Sequence, residues 1–514
     1  MQLRKWIFDL SSTNQVIILA AMALFALHMV NAPGYGFFFD ELYTNALSRH
    51  LAFGYVDLPP LVPALVALSR VLLGESLFAM RIVPALAGVG TLVFVCLIAR
   101  EFGGKTFAVA LSALGFIIVP LWLSLDSIFC YDSIDQLVLA GFLYSLVRFL
   151  RSGNRKLWIV LGLIAGVACM TKMTILFLGP GFLVALLISK YRKDLLTPWP
   201  WLGGALCLVI VSPYLVWQVA NHWPTLEYWN NYGTLRVYKA TISQYFMNVL
   251  VYMNPLLLPL WIAGLYRLFR RLNKVDYRFL GFLFLFTLGL MFYLHASARM
   301  LGEVFIALIA AGAVLVEELL TGARWKMALR ALPVTYLVIA GALVLPWSLP
   351  ILPMDFLTGI SGYAKPWYQA VREFNGASSY LPILLTGRLG WEEMARDVAG
   401  VYNQLPAEDR AVTGIYADIY PMAGAIDQYR SKYGLPQAVS GSLTYYLWGP
   451  GYSWDVMIIL ALRSNQMSMF FSECEPKGTT QLNPYAVIEQ AYIYVCRKPL
   501  VPAKVIWSSA KNYH

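Results

Sequence analysis

Long uninterrupted apolar stretches alternate with short polar connections over roughly the first 350 residues. A membrane-crossing helix needs roughly 20 apolar residues. Because the stretches are continuous rather than strictly alternating, they favour helices over an outer-membrane barrel. We predict about eleven transmembrane helices, over residues 14–33, 78–99, 106–124, 134–150, 157–171, 173–190, 200–219, 246–266, 277–295, 301–320 and 329–348.

After about residue 350 the pattern changes, and charges, Gly, Pro, Asn and Ser become more frequent. The spacing predicts an amphipathic helix over 394–405. Short apolar runs predict strands over 412–416, 456–460 and 492–496. A segment of this length is enough for one soluble α/β domain. We therefore predict a mostly α, polytopic membrane protein with two domains. Residues 1–348 form the transmembrane domain with its outer loops, and residues 349–514 form an extracytoplasmic α/β domain.

Composition supports the membrane assignment. Of the 514 residues only 13% are charged, and the mean hydropathy is +0.62, whereas soluble proteins carry about 25% charged residues. The net charge of +11 does not indicate nucleic-acid binding, since the basic residues fall in short loops between apolar runs.

The distribution of these basic residues predicts the topology. Alternate connections are rich in Lys and Arg, which the positive-inside rule places in the cytoplasm together with the basic N-terminus. An odd number of spans then places the C-terminal domain outside. The cytoplasmic set includes Arg4, Lys5, Arg100, Lys105, Arg148, Arg151, Lys190, Arg192, Arg267, Arg270, Arg324 and Lys326.

The outer connections carry the candidate chemistry. Three aromatic residues precede the acid pair Asp40-Glu41, and Asp57 follows in the segment YVDLPP. Acids at a membrane surface are costly unless they have a function, although an ordinary solvated turn is the alternative interpretation. The predicted outer side also carries further charges, at Asp126, Asp132, Asp135, Arg236, Lys239 and Arg299.

Three basic residues near the outer face each have a structural alternative. Lys172 lies in a very short connection, where an ammonium group needs an anionic partner, or it extends its charged end to the lipid headgroups. Arg81 contributes to a site, or it pairs with Asp57. His222 binds a ligand, or it is an ordinary loop residue among interfacial aromatics.

The six cysteines show no metal-type spacing. Cys474 and Cys496 lie in the C-terminal domain, where they could form a disulfide or remain two buried thiols. No cofactor is indicated by a motif, although the scattered outer acids could hold a divalent metal ion. No sequence feature indicates an oligomeric state.

The outer loops resemble those of the GT-C membrane glycosyltransferases. In particular, they resemble the bacterial branch of the protein O-mannosyltransferase family (glycosyltransferase family 39), which is related to the lipid A aminoarabinose transferases. The matching segments are DELYTNALSRHLAFGYVDLPPLVPAL (40–65), SLFAMRIVPALAG (76–88), YDSIDQL (131–137), MTKMTILFLGPG (170–181), SPYLVWQVANHWPTLEY (212–228), GWEEMARDVAGVYNQLPAEDR (390–410) and LTYYLWGPG (443–451).

This resemblance implies the GT-C fold and an inverting transfer of a sugar from a polyprenyl-phosphate donor. The acceptor would be lipopolysaccharide or lipid A, another glycan or a protein, outside the inner membrane. It implies that Asp40 is the general base and that Glu41 orients the loop or the acceptor. Further substrate-binding roles fall to Asp57, Arg81, Asp135, Lys172, His222 and Arg299.

The chain also departs from the family pattern. Leu58 stands where relatives carry His, Gln or Lys between the acid and the two prolines, and Met300 and Leu301 replace paired tyrosines after Arg299. Two other functions are therefore considered, a lipid-linked-sugar transporter or flippase and an inactive membrane scaffold. A transporter would need paired repeats and charged broken helices at mid-membrane, whereas the charges here lie at the membrane edge.

Overall fold

The computed structural model describes residues 11–235, 241–270, 275–322, 324–360, 381–463 and 466–513. Every predicted transmembrane segment coincides with an apolar helix or a pair of helices. By length and composition, six described helices could cross a membrane, or up to eight if each of two sharply bent pairs is one span. The chain is thus a multi-pass membrane protein, while the predicted number of about eleven spans is not confirmed.

Contacts divide the chain into two compact units. The first comprises Met1–Ala32, Arg81–Leu215 and Tyr238–Pro382, and the second comprises Pro33–Met80, Val216–Val237 and Ile383–His514. Residues 33–80 and 216–237 thus group with the C-terminal segment. The predicted division at residue 348 separates a transmembrane domain from an extracytoplasmic domain, and it stays a prediction.

The first unit is helical. Helices are numbered along the whole chain. Those of the first unit are α1 (Ser12–Asn31), α4 (Leu77–Glu101), α5 (Thr106–Ile117), α6 (Pro120–Leu125), α7 (Tyr131–Ser152), α8 (Leu157–Thr171), α9 (Thr174–Ile188), α10 (Pro198–Ala220), α12 (Ile242–Tyr252), α13 (Leu258–Phe269), α14 (Arg278–Tyr293), α15 (Phe305–Leu319), α16 (Arg324–Ala328) and α17 (Ala331–Ser348). Short 3₁₀ helices cover Lys190–Leu196, Pro255–Leu257 and Ala298–Val304.

Close helix packing in this unit depends on small residues. A Cβ atom on Gly264 would lie 2.0 Å from the carbonyl oxygen of Leu308, and one on Gly312 would lie 2.1 Å from that of Leu260. Helices α13 and α15 therefore pack backbone against backbone, a geometry that small residues permit between membrane helices.

The second unit combines helices with a mixed sheet. Its helices are α2 (Phe39–Ser48), α3 (Leu61–Leu73), α11 (Pro224–Leu235), α18 (Ile383–Thr386), α19 (Trp391–Asn403), α20 (Ala407–Val412), α21 (Tyr420–Tyr433) and α22 (Ala503–Ser509). The strands are β1 (Thr413–Ala417), β2 (Ala438–Val439), β3 (Val456–Ala461), β4 (Phe471–Thr479) and β5 (Tyr492–Pro499). Their order in the sheet is β2-β1-β3-β5-β4.

The sheet explains the burial pattern of the predicted strands. Strand β1 is parallel to β2 and β3, whereas β5 is antiparallel to both β3 and β4. Strands β1 and β3 are buried along their whole length, as expected for interior strands covered on both faces. The predicted helix over 394–405 and the three predicted strands are present as α19, β1, β3 and β5.

A disulfide joins Cys474 of β4 to Cys496 of β5. The two residues face each other directly in the antiparallel register. The bond attaches the exposed edge strand β4 to the interior of the sheet, and Cys496 itself lies in a buried cluster with Trp454 and Trp507. Of the two alternatives from the sequence, the structure contains the disulfide.

Candidate functional site

The acid pair lies in the first turn of α2. The carboxylate oxygen Oε2 of Glu41 accepts the backbone N–H of Phe38 at 2.8 Å, and Glu41 is fully buried. This bond satisfies one of the free donors at a helix N-terminus, where acidic side chains are also favoured by the helix dipole. Glu41 therefore fixes the start of the helix that carries Asp40.

Asp40 lies at the surface of the same turn and is half-buried. Its Oδ1 accepts a hydrogen bond from the hydroxyl of Tyr420, at 3.0 Å. The ring of Tyr420 also packs against that of Tyr43, with 4.7 Å between centroids. The candidate base is thus held by a side chain 380 residues further along the chain.

Asp57 takes part in a second tyrosine contact. The Tyr43 hydroxyl donates to Asp57 Oδ1 at 2.7 Å and lies 2.9 Å from the hydroxyl oxygen of Thr444. Thr444 also accepts the backbone N–H of Val56 at 3.0 Å. Burial raises the pKa of Asp57 to about 6, although the hydrogen bond from Tyr43 opposes the shift. Asp57 therefore changes charge in the range where activity is normally measured.

The first unit holds a separate group of charged residues. The Lys172 ammonium forms an ion pair with Asp132 and lies 5.1 Å from the centre of the Tyr131 ring. Asp135 and Glu303 interact electrostatically with Lys172. Asp135 and Glu303 are at least 95% buried, so water screens their interaction with this ammonium only weakly.

Several polar atoms of this group have no hydrogen-bond partner among the described residues. They include Asp135 Oδ2, Glu303 Oε2 and Thr174 Oγ1. Within the group, Lys172 donates to Asp132, and Asp135 Oδ1 accepts from the Thr171 hydroxyl at 3.3 Å. Buried polar atoms are normally paired, so these atoms are candidates for ligand contacts.

The remaining predicted residues differ in their surroundings. Arg81 is buried, and its Nη1 donates to the Ala32 carbonyl oxygen at 2.5 Å. Arg299 lies half-buried in the 3₁₀ helix before α15. His222 is exposed, and both it and Trp223 have positive φ angles, of 61° and 57°. These angles mark a strained turn before α11.

Arg236 and Lys239, which were counted among the outer cations, lie outside the described residues, as do Arg4 and Lys5. Among the residues that the structure describes, no group of three or more His, Cys, Asp and Glu side chains could hold a metal ion. The suggested divalent metal therefore receives no support from the geometry.

Sequence analysis missed Tyr43, Tyr420 and Thr444 as functional candidates. Tyr43 lies three residues after Asp40, and it could have been noticed for that reason alone. Tyr420 lies 380 residues from Asp40, and Thr444 lies 401 residues from Tyr43, the residues that they contact through hydrogen bonds. No local pattern indicates such pairs.

Comparisons with known proteins agree with this architecture. Residues 57–217 match the family described as dolichyl-phosphate-mannose-protein mannosyltransferase. An undecaprenyl phosphate-α-4-amino-4-deoxy-L-arabinose arabinosyl transferase from Pseudomonas fluorescens is 32% identical over 32% of this chain and 30% of its own length. A lipid A galacturonosyltransferase from Rhizobium johnstonii is 24% identical over 44% of this chain and 48% of its own length. This chain thus spans less than half the length of these curated relatives.

Solved structures extend the likeness over almost the whole chain. ArnT from Cupriavidus metallidurans bound to undecaprenyl phosphate has a TM-score of 0.56 at 14% identity. That match covers 93% of this chain and 97% of ArnT, and the apo state has a TM-score of 0.58. The fold is that of the GT-C membrane glycosyltransferases. The resemblance to the superfamily of protein O-mannosyltransferases and lipid A aminoarabinose transferases is confirmed.

Proposed function

We propose that this protein transfers a sugar, with inversion, from a polyprenyl-phosphate donor to an acceptor at the outer face of the inner membrane. The supporting observation is the GT-C fold, which matches over 93% of the chain a protein whose structure contains undecaprenyl phosphate. In this proposal the N-terminus is cytoplasmic and the C-terminal domain is extracytoplasmic, as the basic connections predict.

The proposed base is Asp40. Its carboxylate takes the proton of the acceptor hydroxyl as that oxygen attacks the anomeric carbon, and the bond from the sugar to the lipid phosphate breaks. Glu41 keeps the helix start in place through Phe38. Asp57, with its pKa of about 6, contributes negative charge in the same turn region when it is ionised.

In this proposal, basic side chains bind the lipid phosphate, which is the leaving group. Lys172 is the proposed phosphate ligand, with His222 and Arg299 as further candidates, while Arg81 and Asp135 shape the site. Because Lys172 already pairs with Asp132, phosphate binding requires the ammonium to share or exchange that partner. Preorganised cations of this kind stabilise the charge that develops on a leaving group.

We propose an envelope lipid or glycan, lipid A first, as the acceptor. The relatives named for lipid A and for an undecaprenyl-phosphate donor support this class. Membrane lipids would surround the apolar helices, and transfer to a protein is the alternative outcome of the assay. The alternatives to this enzyme proposal are a flippase and an inactive scaffold. Neither of these would form a glycosylated product, so the assay separates them from an enzyme.

The experiment uses the full-length chain in membranes from cells that lack endogenous transferases of this type. Undecaprenyl-phosphate-linked aminoarabinose and galacturonic acid, both radiolabelled, are supplied with lipid A, and labelled lipid A is quantified. Wild-type protein should form product with at least one donor. Asp40→Asn should reduce the rate by about 10²-fold or more, with unchanged membrane insertion.

Asp355→Asn serves as the control, since this acid lies outside both groups of candidate residues. It should retain the wild-type rate. An Asp40→Asn protein that transfers sugar at the wild-type rate would remove Asp40 as the base. Movement of the donor across the membrane without product would favour the flippase.

A further inference from the structure

The C-terminal part of the second unit supplies the hydroxyl group that contacts Asp40. Tyr420 is the first residue of α21, and this helix begins three residues after β1 ends. The strand and the first turn therefore determine where the phenol points. Its hydroxyl donates to Asp40 Oδ1 at 3.0 Å.

Further contacts hold α21 against α2 around this bond. A Cβ atom on Gly424 would lie 3.0 Å from the Cβ of Leu42, so the two helices are too close for a larger residue. The amide of Asn45 donates to the side-chain oxygen of Gln428. These two contacts lie one and two turns beyond Tyr420 along α21, and together they leave the phenol little freedom to move.

We propose that Tyr420 is a positioning residue for the general base, so that the C-terminal domain completes the catalytic site. This inference rests on the proposed function, in which Asp40 accepts the proton of the acceptor hydroxyl. A phenol that donates to one carboxylate oxygen restricts rotation of the carboxylate. It also favours the ionised form, which is the form that acts as a base.

Of the other titratable groups near this contact, Asp57 and Tyr228 interact electrostatically with the phenol, and the Tyr43 ring packs against it. Glu41 lies in the same helix turn as Asp40. Asp57 titrates near pH 6, so a pH–rate profile alone would combine two acids. The test therefore follows the charge of Asp40 directly.

The first measurement is pH-dependent labelling of Asp40 with a carbodiimide and an amine, performed on the full-length protein in detergent and quantified by tandem mass spectrometry. Asp40 is half-buried, whereas Glu41 is fully buried, so the two sites are distinguished by reactivity and by fragment mass. Tyr420→Phe keeps the ring and removes only the hydroxyl. It should move the labelling midpoint of Asp40 upward by about one pH unit.

Tyr445→Phe is the matched control. Tyr445 is another buried tyrosine of the same unit, and its hydroxyl donates to Asp427 Oδ2 at 2.9 Å. Removing this hydroxyl should lower the melting temperature, while the labelling midpoint of Asp40 stays at the wild-type value.

The second measurement is sugar transfer from the undecaprenyl-phosphate donors to lipid A. Tyr420→Phe should lower kcat/KM by about 10- to 100-fold, mainly through kcat, and should move the acidic limb of its pH profile upward. Replacement of the Tyr420 hydroxyl by an amino group, with p-aminophenylalanine, retains a donor of similar reach and should restore most of the rate.

The outcomes separate this inference from the proposed function. If Asp40→Asn is inactive and Tyr420→Phe keeps both the wild-type midpoint and the wild-type rate, the positioning role is wrong and the proposed base stands. If Asp40→Asn is fully active, the proposed base is wrong, and so is its positioning. If Tyr420→Phe does not fold, the protein with p-aminophenylalanine at position 420 provides the test. A wild-type labelling midpoint of Asp40 in this folded protein would support the inference, and a displaced midpoint would overturn it.

Discussion

The Glu41 carboxylate accepts the backbone N–H of Phe38 at 2.8 Å, and both residues are buried. The acid beside the proposed base thus has a structural partner of its own. A buried acceptor that is removed leaves the donor unsatisfied, which costs about 1–3 kcal/mol. The two neighbouring carboxylates therefore differ in role, because Glu41 caps the N-terminus of α2 and Asp40 is the proposed base.

Glu41→Ala should lower the free energy of unfolding by about 1–2 kcal/mol, measured by denaturation of the purified protein in detergent. Glu41→Gln should lose much less, since its amide oxygen still accepts from Phe38. Glu392→Ala is the control, because Glu392 also lies in the first turn of a helix but its side chain is 40% exposed. If Glu41→Gln folds normally and loses transfer activity, the charge of Glu41 has a catalytic role beyond the cap.

Gly424 offers a test of how closely α2 and α21 pack. Gly424→Val places branched methyl groups where a single Cβ would already lie 3.0 Å from Leu42. We expect a loss of about 1–3 kcal/mol in unfolding free energy and a lower transfer rate. Gly400→Val introduces the same residue into α19, where a Cβ meets nothing within 4 Å, and should change stability by about 0.5 kcal/mol or less. Equal effects in the two variants would contradict the packing argument.

Stability should depend on pH through Asp427. Burial raises the pKa of this carboxyl from its ordinary value near 3.8 to about 6. The folded protein therefore binds more protons than the unfolded chain between about pH 4 and 6, and stability falls as the pH rises through that range. The shift corresponds to about 3 kcal/mol.

Asp427→Asn should remove this contribution while preserving the acceptor for Ala438 N–H, which lies 2.9 Å from Oδ1. The difference in melting temperature between pH 4.5 and pH 7 should therefore be smaller in the variant than in the wild type. Asp409→Asn is a comparison, since Asp409 is less buried and pairs with Arg497. A pH dependence that is the same in wild type and Asp427→Asn would contradict the assignment.

Local patterns were sufficient to predict most of the elements. The apolar segments are helical because a backbone in lipid must satisfy its own hydrogen bonds. Strands β1, β3 and β5 were found because interior strands are continuous apolar runs. Strand β4 was missed, since this edge strand carries Glu473, Glu475 and Lys477 on an exposed surface, and charged edges do not show the apolar pattern.

The site was predictable only in part. Asp40, Glu41 and Asp57 are close in sequence and stand in recognisable segments, an acid pair and YVDLPP, so they could be selected directly. The contacts of Tyr420 and Thr444 depend on how two helices and a loop pack after nearly 400 residues of intervening chain. Such tertiary contacts leave no periodic signal. Asp132 and Asp135 were likewise visible singly, but their grouping with Lys172 and Glu303 was not.

In the group around Lys172, replacing the cation should cost more stability than replacing one of the acids. Among the described residues, Asp132, Asp135 and Glu303 all interact with this ammonium. Lys172→Met leaves three carboxylates without their cation and should lower the free energy of unfolding by about 3 kcal/mol. Asp132→Asn leaves Lys172 with two other acids, so its loss should be clearly smaller. Denaturation of both variants and of the double variant measures the coupling between the two side chains.

The same variants test the proposed phosphate contact. If Lys172 binds the donor phosphate, added undecaprenyl phosphate should raise the melting temperature of the wild type and of Asp132→Asn, but not that of Lys172→Met. Asp132→Asn should show at least the wild-type increase, because its ammonium no longer has to exchange its direct partner, the Asp132 carboxylate, for the phosphate. If Lys172→Met shows an undiminished increase, another cation binds the phosphate, and the acids around Lys172 then serve only to hold α7, α8 and the 3₁₀ helix Ala298–Val304 together.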